Sequence, residues 1–77
     1  MNNIKLLLEQ ENGLRRIFGQ AEIGPTDYDA IYNLIQFKLS PETLFADGER
    51  SFDEADKLYN FYMNCLRELK PLGYGFE

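Results

Sequence analysis

Apolar residues recur along this chain at helical spacing. Ile4, Leu7, Leu8, Leu14, Ile17 and Phe18 fall on one side of a helix wound over residues 3–18, and steps of three and four are the mark of an amphipathic helix. Asn2 or Asn3 stands where an N-cap belongs, because a short polar side chain accepts from the free amides of a first turn. Arg15 and Arg16 suit the negative end of the helix dipole, and Gly19 supplies the left-handed residue that ends a helix. Gly13 costs such a helix about 1 kcal/mol relative to alanine, so a break at Asn12-Gly13 is the alternative to one continuous element.

Ile23-Gly24-Pro25 reads as a connector, with Thr26 in the N-cap position and Asp27 and Asp29 in the first turn of a second helix over 27–39. Ser40-Pro41 ends that helix and opens a short helical turn over 41–45, since proline disfavours helix at the residue before it and suits a first helical position. Asp47-Gly48 is a turn dipeptide, but no alternating strands flank it to make a hairpin. Ser51 and Glu54 then form an S-x-x-E capping box, and the helix it starts runs over 52–70 until Pro71 and Gly73 stop it. The pattern predicts an all-α fold: one small domain over 1–77, a bundle of three main helices plus one short turn, with 71–77 a short tail.

The last helix is broad. From Phe61 round to Met63, through Leu58, Cys65, Tyr62, Tyr59 and Phe52, its apolar residues cover an arc of roughly 200°, whereas a surface helix needs only a little over 100°. A chain of 77 residues has too few helices to surround it and the similarly broad second helix. Self-association through Tyr59, Phe61, Met63 and Phe37 is therefore expected, an obligate homodimer being one reading of the chain as a structural or assembly subunit. In the tail, Tyr74 and Phe76 either fold back on the domain or anchor a partner.

Composition narrows the choices. A 44% hydrophobic chain with 14% aromatics is globular. One cysteine, Cys65, excludes an internal disulfide and points to a reducing interior. The apolar run near the start ends at Leu8 before Glu9 and Glu11, too short for a bilayer span, so a cytoplasmic protein without membrane contact is expected. Thirteen acidic against eight basic residues give a net charge of −5, which repels nucleic-acid phosphates and favours a basic protein partner.

Chemistry is sparse. Without histidine the side chain that ordinarily titrates near neutrality is missing, and Cys65 sits mid-helix on the apolar face with no base to activate it. The usual zinc ligand sets are excluded. Asp47, Glu49, Ser51 and Asp53 alternate like the opening of a calcium loop, but Phe52 stands where that loop needs glycine and Leu58 where it needs glutamate. No glycine-rich phosphate motif occurs. No enzyme activity, cofactor or metal is expected, and the candidate site is the acidic surface Asp47, Glu49, Asp53, Glu54 and Asp56. In size and charge the chain resembles the compact acidic inhibitors that phages and plasmids use against host defence nucleases, a likeness of character that no motif carries.

Overall fold

Four helices make up the computed structural model, which describes residues 2–74: α1 (Asn2–Ile17), α2 (Tyr28–Lys38), the short α3 (Pro41–Leu44) and α4 (Phe52–Leu69). Single 3-10 turns at Ala46–Gly48 and Lys70–Leu72 complete them. The three main helices and the short one match the expected elements to within two residues at every end. α1 runs unbroken through Gly13. One reason is that Asn12 spends its amide elsewhere: its Nδ2 donates to the Ile23 carbonyl at 3.0 Å and its Oδ1 accepts from the Ile23 amide at 2.8 Å. That pair of bonds fastens the α1–α2 connector to α1 and leaves no competition for the helix backbone.

The caps follow their expected logic with three changes, the first being that Asn2 and Asn3 lie inside α1 instead of capping it. Ser51 and Glu54 form both halves of the capping box of α4, and Gly19 after α1 takes the left-handed φ of 69°. Asp27, one residue beyond Thr26, is the N-cap of α2 and accepts from the Ala30 amide at 3.3 Å. Ser40 precedes α3, but its hydroxyl donates back to the Phe37 carbonyl at 2.8 Å. It thus closes the end of α2 and leaves the start of α3 to Pro41.

α4 packs against each of α1, α2 and α3. Leu7, Ile31, Ile35, Cys65 and Leu69 are fully buried between them, with Ile4, Leu8, Leu34, Leu44, Ala55, Tyr62 and Leu66 around them. The broad arc of α4 is therefore largely used inside the domain. The molecule measures 36 × 33 × 18 Å, room for about two helix diameters in its thinnest direction. For that reason the apolar line of α1 outruns its cover: Ile4, Leu7 and Leu8 are buried, while Leu14, Ile17 and Phe18, expected on the same side, are exposed.

The start of α1 is held by the end of α4. One oxygen of Glu68 accepts from the Asn3 amide at 3.0 Å and the Asn3 side chain at 2.9 Å, and the other accepts from the Ile4 amide at 3.0 Å. A helix start leaves amide N–H groups without intrahelical partners, and here a carboxylate 65 positions away satisfies two of them. Burial pushes the Glu68 carboxyl up, but the bonds from Ile4 and Asn3 outweigh it and hold the group below the usual carboxylate range. A depressed folded-state value means stability that is complete above the unfolded value and is lost as the pH falls through the folded one. Replacing Glu68 with Gln should lower unfolding free energy at pH 7 by about 1–2 kcal/mol. It should also flatten the loss of stability on acidification below about pH 4.5, both read from urea melts across pH.

Candidate interaction site

The acidic stretch is built around a tight left-handed turn. Ala46, Asp47 and Gly48 take φ of 46°, 55° and 94° in succession. The first two are uncommon for residues with a Cβ, so the chain reverses sharply after α3. Arg50 holds the turn shut: its guanidinium donates to the carbonyls of Thr43 at 2.7 Å and Leu44 at 3.1 Å, the open end of α3. The one arginine among these carboxylates thus serves backbone oxygens and leaves the acids unpaired.

Asp47, Glu49, Asp53, Glu54 and Asp56 are all exposed, and they have different uses. Glu54 accepts from the Ser51 amide, and that bond, then the Ser51 hydroxyl beside the carboxyl, holds it below the usual range. Asp53 lies in the first turn of α4, where a negative charge faces the positive end of the helix dipole. On the helical wheel Asp53 points almost directly away from the buried face, with Asp56 about 60° to one side. Asp47, Glu49, Asp53 and Asp56 make no ion pair with any described residue. Among the described residues the ion pairs are Arg15–Glu11 at 2.9 Å, Arg16–Glu22 at 3.0 Å and Lys38–Glu11 at 3.9 Å, all at the other end of the chain.

The distribution of charge is sharper than the total. Residues 42–56 carry six of the thirteen carboxylates and one of the eight basic residues, so the other positions balance at seven of each and the whole net charge of −5 belongs to this block. That signal was available in the order of the residues and is hidden by the overall composition. Within the block, Phe52 is 79% exposed and is fixed in place by an edge-on contact with Phe45, ring centroids 5.5 Å apart. Sequence reasoning placed Phe52 in the apolar arc of α4 and missed it as part of the acidic surface.

Of the four residues expected at an oligomer interface, Tyr59 and Met63 share one flank of α4 and Phe61 lies on the other. Phe61 and Met63 are half-buried and lie about 160° apart around α4, with Phe61 stacked edge-on against Tyr62 at 5.5 Å. Tyr59 is 45% exposed on the Met63 flank, and Phe37 is 63% exposed near the end of α2. Of the two tail anchors, Tyr74 is docked: its ring lies 5.6 Å from that of Tyr32 and 6.5 Å from that of Tyr28, and its hydroxyl donates to Asp29. Phe76 lies outside the described residues.

Open grooves flank α1. The larger, of about 690 Å³, has Ile4, Leu8 and Ile23 among its lining and Lys5, Glu9, Arg16 and Glu22 around them. Charges of both signs meet there and none is buried. Among the described residues no polar or charged side chain is buried, no set of three or more potential ligands could hold a metal ion, and no helix is long and apolar enough to cross a membrane. Compared with protein-family models, curated proteins and solved structures, the chain matches none.

Burial pushes the Cys65 thiol up to about 12, and the side chain has no solvent exposure. Since the thiolate is the reactive form, Cys65 should fail to react with a thiol reagent at pH 8 in the folded protein. It should react stoichiometrically in denaturant; fast native labelling would show that the core around α4 opens.

Proposed function

We propose that this protein is a non-enzymatic interaction module whose acidic surface, Asp47, Glu49, Asp53, Glu54 and Asp56, engages a basic surface on a protein partner. The observation that carries this reading is the concentration of the entire net charge in residues 42–56, with five of its six carboxylates, Glu42 among them, exposed and without an ion pair or capping bond among the described residues. A field of one sign on one edge steers a partner of the other sign and raises the rate of encounter. Local structure accounts for Glu54 and part of Asp53, but it gives Glu49 and Asp56 no task.

A basic groove of this kind is the usual means by which proteins hold nucleic-acid phosphates. The partner is therefore proposed to be a nucleic-acid-handling protein, such as a host defence nuclease, and the module its inhibitor or regulator, competing with the phosphate backbone. Phe52 adds what charge alone lacks. Exposed aromatic anchors carry a large share of the energy of protein interfaces, and this one stands beside Asp53 with its ring against Phe45. The partner surface should offer an apolar pocket with lysines or arginines at its rim.

The test is capture of partners with the tagged protein from its native cell, eluted by stepwise salt, beside the doubly reversed variant D53K with D56K. Wild type should retain a basic protein that leaves between low and moderate salt. The reversed variant should keep its helical circular dichroism and retain at least tenfold less, a loss of about 1.4 kcal/mol. Equal retention by both would remove the acidic surface from the binding function.

A further inference from the structure

α1 carries a second apolar line besides the one it buries. Leu6, Gly13, Leu14 and Ile17, with Gln10 among them, fall within an arc of about 100° centred roughly 130° from the buried line of Ile4, Leu7 and Leu8. Leu6 is 51% exposed, Leu14 52% and Ile17 77%. At the middle stands Gly13, in helical conformation, and a Cβ added there would meet nothing within 4 Å. No neighbour inside this chain needs the room that the glycine leaves. Exposed leucine and isoleucine on both sides of an unexplained glycine describe a helix face that another helix approaches closely.

We propose that the occupant is a second copy of this chain, with α1 packed against α1 antiparallel across a two-fold axis. The line is complementary to itself when reversed. Setting Leu6 opposite the partner's Ile17 also sets Gln10 opposite the partner's Gly13, and the two-fold repeats each contact. The long Gln10 side chain then lies over the bare glycine backbone, and the apolar ends close the pair. The flanking charges agree with this register. Glu9 and Arg16 border the line on the same side, seven positions apart, and in an antiparallel pair like flanks meet, which brings Glu9 beside the partner's Arg16. The Arg16 pair with Glu22 within its own chain is largely exposed, so it gives little resistance to the exchange. In a parallel pair unlike flanks would meet, which would carry Glu9 away from the partner's Arg16. The pairing leaves residues 42–56 of both copies uninvolved, so it is independent of the acidic-surface reading.

A standard interface buries about 800 Å² per partner, more than this short line offers, so the pair should form near roughly 100 µM and part on dilution. Sedimentation equilibrium from about 10 µM to 1 mM should show a shift from the 9.0 kDa chain to twice that mass. Ile17→Glu and Gly13→Leu should each raise the dissociation constant at least tenfold with helical circular dichroism unchanged. Gly13→Leu is the safer variant, because leucine favours the helix of the single chain while filling the space the partner needs. Glu9→Arg and Arg16→Glu should each weaken the pair, and the two together should restore it. A wild type that stays monomeric at 1 mM, or a dimer indifferent to Ile17→Glu and Gly13→Leu, would overturn the proposal.

Discussion

The carboxylate of Glu68 joins the two ends of the fold. It sits in the last turns of α4 and takes the amides of Asn3 and Ile4, so among the described residues the first turn of α1 is completed by the last helix. α1 buries only Ile4, Leu7 and Leu8. A helix of this length is marginal by itself in water, and three buried side chains leave much of it to be fixed by polar contacts at its ends. Glu68 fixes one end, and the Asn12 clamp on Ile23 ties the connector to its middle. The tail joins the same assembly through Tyr74, which lies on Tyr28 and Tyr32 of α2.

These contacts divide the charged residues into two populations. Glu68 and Glu54 complete helix starts, Glu11 and Glu22 pair with arginines, and Asp27 caps α2. Each is satisfied by a partner inside the chain. Asp47, Glu49 and Asp56 have no such partner, although Arg50 lies among them in the sequence, because its guanidinium closes the α3 turn. Concentrating unpaired like charges on one edge costs stability through repulsion. The core, thirteen buried residues among those described, draws nothing from these carboxylates, and this is the physical ground for reading the edge as an interaction surface.

Much of this fold was legible because its punctuation is local. Ser51 with Glu54, Gly19 after Phe18 and Pro41 after Ser40 act within four residues of themselves, and the helix ends they mark lie where those signals stand. Thr26 failed as a cap because Asp27 beside it is as good an acceptor, and nothing local separates the two. What could not be read were the contacts that cross the chain, Glu68 to Asn3 and Ile4 or Asn12 to Ile23, since polar side chains at those positions look like ordinary surface. Periodicity likewise marks Leu14, Ile17 and Phe18 as one side of a helix but is silent on whether anything covers that side. The acidic block itself was visible. Its unpaired state depends on where one arginine points, and only the folded geometry supplies that.

The central claim is that Asp47, Glu49 and Asp56 serve no purpose in the fold itself. It is tested most directly by neutralising these three together to Asn or Gln and measuring chemical unfolding at low and high salt. Stability at low salt equal to or above wild type, with the difference shrinking as salt rises, is the predicted result. A loss of more than about 2 kcal/mol, well beyond the usual effect of surface substitutions, would show that these carboxylates hold the fold together and would contradict the account.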